Sequence, residues 1–222
     1  EHLKGPMLMS FSDTLIETDL SDLKNEAADG IAWVKRVEDP RRFGAARIDQ
    51  EGRVVKLIEK PQDMHDNLVL VGFYYFRQGE SLMAAIEEQF ERKIDLKGEY
   101  FLVDAVNLML EKGAHFRTRM VKTWLDAGTR EATLDTNRYL LENGHDNSKE
   151  AARRKGVKIL PPVFIPADAK ITNSTIGPHV SLGSNVELDG VTVTDAIIED
   201  RAKVTLSDLN HSHLGRDVVV RG

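Results

Sequence analysis

The stretch Ile176-Gly177-Pro178-His179-Val180-Ser181-Leu182-Gly183-Ser184-Asn185-Val186 sets an aliphatic residue at 176 and again at 182, with a β-branched residue four positions after each. The rhythm extends both ways. Large aliphatics recur at Ile165, Ile171, Ile176, Leu182, Leu188, Val193, Ile198, Val204, Leu209 and Leu214, at steps of five or six. A near-hexapeptide period is the mark of a parallel β-helix, in which each repeat forms one face of a triangular coil. Inward aliphatics stack coil on coil, and each contributes about 1.5–3 kcal/mol of burial before entropy is subtracted. A β-sandwich would instead show turns every 8–12 residues or so, a poorer fit. The five-residue steps are expected at corners.

Upstream of this region the periodicity alternates between 2 and 3.6. Residues 7–11, 31–37, 43–48, 54–58, 68–76 and 115–121 read as strands, the last leading into Trp124-Leu125-Asp126. Asp49-Gln50-Glu51-Gly52 is a hairpin signal, with glycine placed for a positive φ. Helices are expected from Asp19, over 80–90, over 99–112 with Gly113 just past its end, and from a Thr129 N-cap to about Leu141. Strands alternating with helices specify an α/β layer, and the hairpin makes its sheet mixed. The polar stretch 144–158 reads as a linker or short exposed helix, and Arg153-Arg154-Lys155 as a solvated face. The expected organisation is an α/β domain over 1–143, a linker over 144–158 and a β-helix over 159–222.

Composition narrows the chemistry. The chain has 222 residues, 41% apolar and 30% charged, with a net charge of −6 and no cysteine. A general nucleic-acid or anionic-membrane binder would carry a basic surface. Thiolate metal sites, disulfides and cysteine nucleophiles are excluded. No apolar run approaches the roughly 20 residues of a membrane-spanning helix, and a cytoplasmic location is the expectation.

Three short constellations carry the chemistry. Phe11-Ser12-Asp13-Thr14 and Trp124-Leu125-Asp126-Ala127-Gly128-Thr129 each end an apolar segment on an aspartate. Ligands of α/β sheets collect outside the carboxyl ends of strands, where two carboxylates can hold Mg2+ together with substrate phosphates. Each aspartate can equally cap a turn. Between them lies Ile58-Glu59-Lys60-Pro61, in which Glu can accept bonds from sugar hydroxyls and Lys can neutralise a phosphate; as a bare tripeptide it also fits a solvated strand end. Gly44 and Gly72 are places where a ligand or another backbone can approach closely. Tyr74 or Tyr75 would then wall a pocket or simply pack in the core. His211 and His213 are a conceivable metal pair without a third ligand, so a solvated edge fits them better, and His179 reads as a surface corner.

Taken together, Phe11-Ser12-Asp13-Thr14, Phe43-Gly44, Ile58-Glu59-Lys60-Pro61, Val71-Gly72-Phe73-Tyr74 and Trp124-Leu125-Asp126-Ala127-Gly128-Thr129 resemble the sugar-1-phosphate nucleotidylyltransferases. The resemblance is to glucose-1-phosphate thymidylyl- or uridylyltransferases in the long form, with an appended left-handed β-helix. It implies a Rossmann-like domain followed by that β-helix. It also implies metal ligation by Asp13 and Asp126, with Mg2+ as cofactor, and sugar-phosphate contacts from Gly44, Glu59, Lys60, Gly72 and Tyr74. The implied reaction joins a sugar 1-phosphate, glucose 1-phosphate by resemblance, to dTTP or UTP and releases pyrophosphate. The family's opening G-x-G-x-R loop and Pro-Lys-Pro segment do not precede Asp13 in this sequence. The expectation is therefore a truncated Rossmann-like domain, incomplete for catalysis, with no catalytic side chains beyond the metal ligands. A non-catalytic sugar-phosphate-binding or regulatory paralogue is the alternative, and a hexapeptide acyltransferase a weaker one. Solenoids stack through exposed coil ends and edges, so a homo-oligomer is expected.

Overall fold

A computed structural model describes residues 3–222. By its internal contacts the chain divides into two compact units, 1–125 and 126–222.

The first unit is built on one long strand. The strands are β1 (Met7–Ser10), β2 (Thr14–Ile16), β3 (Gly30–Arg36), β4 (Gly44–Ile48), β5 (Val54–Glu59), β6 (Leu68–Phe76), β7 (Phe116–Met120) and β8 (Trp124–Asp126). The main sheet runs β5-β4-β6-β3-β7, with β1 beside the C-terminal half of β6. All pairs are antiparallel except β3–β7, so the sheet is mixed as expected. In β6 every residue but Phe73 is buried, which is why Leu68 to Phe76 reads as a continuous apolar run rather than an alternating one. One face of the sheet, carrying Ala32, Val34, Leu70, Tyr74 and Phe76, is covered by helices α1 (Gly79–Glu91) and α2 (Leu102–Glu111). The other face gathers Ile31, Trp33, Val71, Tyr75 and Val121.

Three sequence expectations shift. The helix expected from Asp19 is only a 3-10 turn, Leu23–Asn25. The helix expected from Glu99 begins at Leu102, because Lys97 and Gly98, at φ +56° and +84°, make a tight turn. That turn lets Leu96 and Glu99 bond each other, at 2.9 and 3.1 Å. Strands β2 and β8 form a separate two-stranded pair; β2 is too short to show a period.

The edge strand β5 is finished by a side chain. Asn107 of α2 accepts a hydrogen bond from the Leu57 amide at 2.8 Å and donates one to the Leu57 carbonyl at 2.9 Å. A carboxamide carries the same donor and acceptor as a peptide group. It therefore stands in for the missing neighbouring strand.

The second unit opens with α3 (Arg130–Glu142), N-capped by Thr129, whose hydroxyl accepts the Ala132 amide at 3.2 Å. Helix α4 (Ser148–Ala151) follows. Ten strands complete it: β9 (Val157–Ile159), β10 (Val163–Phe164), β11 (Lys170–Thr172), β12 (Ser174–Ile176), β13 (Val180–Leu182), β14 (Glu187–Asp189), β15 (Thr192–Ile198), β16 (Lys203–Thr205), β17 (Asp208–Leu214) and β18 (Val219–Arg221). They pair only in parallel and form a β-solenoid of about four turns. Lys170, Glu187, Lys203 and Val219 stand in register on one face, so a coil takes 17 or 16 residues. Each expected inward aliphatic from Ile165 to Val204 is buried, and Leu209 and Leu214 pack against the same core.

The corners explain the uneven step. Asn173, His179, Asn185, Asp195, Arg201, Leu206, His211 and Asp217 all have φ between +48° and +61°, a region that favours glycine and asparagine. Where another residue holds a corner, the coil above or below often supports it. Arg201 donates twice to Asp217, at 2.7 and 2.9 Å, and Asp195 contacts the His211 ring at 2.9 Å. His213 contacts Glu199 at 3.0 Å. These histidines are fixed to carboxylates.

Within this unit α3 lies on the solenoid. Asn137 bonds His179 and Ser181, and Arg138 makes two bonds of 2.9 Å to Asp195. Residues 146–154, in the stretch expected to be a linker, fold onto the first coil. Asn147 brackets the Ile165 backbone at 2.8 and 2.9 Å. Arg154 donates to the carbonyls of Pro166 and Ala169 at 2.7 Å, so it is not a solvated charge.

The carboxamide on β5 generates a prediction. Replacing Asn107 with Ala removes both bonds and leaves a half-buried peptide group unpaired. Chemical denaturation is expected to show a loss of about 1–3 kcal/mol with an unchanged denaturant slope.

Candidate functional site

The register of the β4–β5 hairpin places Gly44 opposite Glu59. Lys60 follows at φ +47°, its amide bonded to the Phe43 carbonyl at 2.9 Å. Glu59 and Lys60 therefore stand together at the open end of the hairpin. A Cβ on Gly44 would lie 2.9 Å from Leu70 Cδ1 and 3.2 Å from Glu59 Oε2. Glycine here lets the carboxylate fold back against the backbone. The Lys60 ammonium lies 5.0 Å from the centre of the Phe101 ring, within cation–π range.

Tyr74, reaching over from β6, is 3% exposed. Its phenol is pushed well up by burial and further by the Glu59 charge. The Glu59 carboxyl is itself raised by partial burial, against the lowering influence of Lys60 and with a further raise from Asp104. Asp104, in the first turn of α2, is also raised by burial. Among the described residues neither carboxyl has a hydrogen-bond or ion-pair partner, and the Tyr74 hydroxyl makes no hydrogen bond. Partly buried polar groups without partners are the physical signature of a ligand site.

Gly72 joins this wall from β6. It has φ +74°, and the Phe11 ring lies where a side chain would be: a Cβ would come 2.8 Å from Phe11 Cδ2. The Phe11 amide bonds the Gly72 carbonyl at 2.8 Å, and the Thr14 hydroxyl bonds the Val71 carbonyl at 3.0 Å. Asp13 is thereby carried at the exposed turn between β1 and β2. The rings of Phe11 and Tyr74 are 6.2 Å apart.

Of the expected site residues, Gly44, Glu59, Lys60, Gly72 and Tyr74 all belong to the first unit, and these contacts link them. Asp126 is the first residue of the second unit. There its carboxylate accepts the Gly128 amide at 2.8 Å and its carbonyl accepts the Thr136 hydroxyl at 2.8 Å. Among the described residues no three or more His, Asp or Glu side chains converge on a point. Sequence reasoning missed Asp104. It also missed the Trp124 indole N–H, buried without a partner while its ring meets Phe43 edge-on at 5.1 Å. Asp104 had only one signal, an acid in the first turn of a helix, and the misplaced helix start hid it.

Residues 4–143 match the nucleotidyl transferase family. The chain belongs to that family. A glucose-1-phosphate thymidylyltransferase of Streptomyces antibioticus is 29% identical over 237 residues, covering 96% of this chain and 65% of that protein. A low-salt glycan biosynthesis nucleotidyltransferase of Haloferax volcanii is 29% identical, covering 90% and 61%. The chain thus spans somewhat under two thirds of the length of these curated relatives. Among solved structures, a nucleoside-diphosphate-sugar pyrophosphorylase from Vibrio cholerae superposes with a TM-score of 0.53 at 18% identity, over 60% of this chain and 55% of that one. That likeness concerns the fold. No helix among the described residues is long and apolar enough to cross a membrane.

A pair of substitutions tests the Phe11–Gly72 contact. Gly72→Ala must adopt a left-handed φ and also displace Phe11. Gly52→Ala, at φ +80° with nothing within 4 Å of its Cβ, meets only the backbone term, about 1–2 kcal/mol. Gly72→Ala is expected to be the more destabilising in a denaturant titration.

Proposed function

We propose that this chain takes part in nucleotidyl transfer to a sugar 1-phosphate, and that the hairpin end carrying Gly44, Glu59 and Lys60 over Tyr74 holds the sugar phosphate. The observation that carries this reading is the pairing of an uncommitted, half-buried carboxylate with a neighbouring ammonium in a member of the nucleotidyl transferase family. Lys60 would neutralise the phosphate and Glu59 would accept sugar hydroxyls, strong bonds because the acceptor is charged. Gly44 gives the ligand access to backbone, while Gly72, Phe11 and Tyr74 form the wall.

The names of the relatives favour glucose 1-phosphate as the sugar phosphate and dTTP or UTP as the nucleotide. In the reaction a phosphate oxygen of the sugar 1-phosphate attacks the α-phosphorus of the triphosphate. The new P–O bond forms as the bond to the departing pyrophosphate breaks. Such transfers need positioning and charge neutralisation more than covalent help. Asp13 and Asp126 are proposed as donors to Mg2+. Both are exposed, and an all-oxygen donor set suits a hard cation that takes one or two carboxylates and completes its shell with phosphates and water. Such a metal would offset charge on the phosphates. A cytoplasmic location and a homo-oligomeric state belong to the same reading.

The pH dependence follows from Glu59. Its carboxyl is held above the ordinary value, so the folded chain keeps that proton more tightly than the unfolded chain. This contribution to stability is present in acid and is lost as pH rises through the interval between the two values. Near pH 7 the penalty for a half-buried carboxylate is fully felt, and glutamine does not carry it. Glu59→Gln is expected to raise the thermal midpoint by a few degrees near pH 7 and not near pH 4. In calorimetric titration with glucose 1-phosphate it is expected to lose about tenfold in affinity. Lys60→Ala is expected to weaken binding without the gain in stability. Unaltered affinity in both variants would overturn the assignment.

A further inference from the structure

Asp104 has no evident structural duty. It is the third residue after the Phe101 N-cap of α2, the position from which an acid can reach back to the N-cap amide. No such bond forms: Phe101 receives no side-chain cap, and only the backbone amide of Asp104 is engaged, with the Phe101 carbonyl at 3.1 Å. Its carboxylate has no ion pair among the described residues, although Lys56, Asn107 and Glu111 line the same cleft between α2 and β5. That cleft keeps one side of the carboxylate open to solvent. The first turn of α2 sets it beside the hairpin end. Phe101 lies 5.0 Å from the Lys60 ammonium, Val103 Cγ2 would be 3.7 Å from a Cβ on Gly44, and Asn107, one turn on, is bonded to Leu57. Asp104 therefore stands alongside Glu59, and its charge reaches it.

Two neighbouring, partly buried carboxylates without partners are costly to keep. A fold keeps such a pair when donors arrive with a ligand. The Tyr74 hydroxyl is an independent sign. The Tyr74 side chain is 3% exposed and its hydroxyl makes no hydrogen bond, while the Glu59 charge pushes the phenol further up. Two carboxylate acceptors, a phenol and the Lys60 ammonium complement a neutral polyol carrying one anionic group. We infer that Asp104 is a specificity-determining residue of the sugar subsite, a second acceptor that works with Glu59 on the hydroxyls of a sugar 1-phosphate. The inference rests on the sugar-phosphate reading above and adds a residue to it. It also gives a selection rule: a sugar bearing its own carboxylate brings a third negative charge and is rejected.

The test is calorimetric titration of the full chain with glucose 1-phosphate and with glucuronic acid 1-phosphate, for wild type, Asp104→Asn, Asp104→Glu and Glu59→Gln. Asp104→Asn is expected to bind glucose 1-phosphate about tenfold more weakly and to discriminate less against the glucuronic acid compound. Asp104→Glu should recover part of the affinity. A purely structural role would not change discrimination, and thermal midpoints taken alongside establish that each variant is folded. A pH series adds a second readout. The groups bearing on Glu59 are Lys60, Asp104 and Tyr74, so removing the Asp104 charge should move the acid limb of binding to lower pH. If Glu59→Gln weakens binding while Asp104→Asn leaves both affinity and discrimination at wild-type values, Asp104 is not in the subsite and the sugar-phosphate reading stands. If folded wild type binds neither sugar phosphate at millimolar concentration, that reading falls and this inference with it.

Discussion

The first unit depends on the burial of β6 on both faces. Its nine residues pair with β1, β3 and β4, and each pairing fixes one part of the candidate site. Contact with β4 at Val69 sets where the hairpin lies, and so where Gly44 meets Glu59. Pairing with β1 brings Phe11 over Gly72. The outward reach of the same strand supplies Tyr74. Because side chains alternate with period two, a slip of one residue in β6 would send Tyr74 to the opposite face and put Phe73 in its place. The apolar content of the strand guards against this, since Tyr74 and Phe76 have a helix-covered core on one side and Val71 and Tyr75 a second core on the other.

Against this well-satisfied frame the unsatisfied groups stand out. The edge of β5 has its peptide group paired by Asn107, and the Ile165 backbone of the first coil is paired in the same way by Asn147. Solenoid corners of unfavourable φ are braced between coils by the Arg201–Asp217 ion pair and by the contact of His211 with Asp195. The chain closes its edges and charges where it can. That makes Glu59, Asp104 and Tyr74 informative as a group: the fold tolerates half-buried acids beside a phenol without partners, at some loss of stability, next to the Ile58-Glu59-Lys60-Pro61 motif.

Much of this was legible in the sequence, for reasons that differ by element. The solenoid was readable because stacked coils demand an aliphatic at every inward position, and Ile171, Ile176, Leu182 and Leu188 meet the demand locally. Its corners were not, since nothing in Asp195, Arg201 or Leu206 alone announces a left-handed φ; support comes from a coil 16 or 17 residues away. The hairpin is readable from Gly52, whereas the start of α2 is not, because apolar helical spacing does not show that Glu99 closes the Lys97-Gly98 turn by bonding Leu96. Glu59 and Lys60 were found through a motif. Asp104 lies outside such motifs, and its meaning comes from tertiary placement 45 residues along the chain from Glu59.

The way the subsite is assembled bears on how sugar binding and metal chemistry divide. Gly44, Glu59, Lys60, Gly72, Tyr74 and Asp104 all come from residues 44–104 of one compact unit, and the contacts that hold them need no cation. Lys60 already supplies positive charge for a phosphate, and the hydroxyl acceptors are protein carboxylates. Under the proposed function, recognition of the sugar phosphate is therefore a property of this unit's own side chains, while the aspartates at 13 and 126 serve only the step in which phosphates exchange partners. Discrimination among sugars then lies in the two carboxylates and not in the metal.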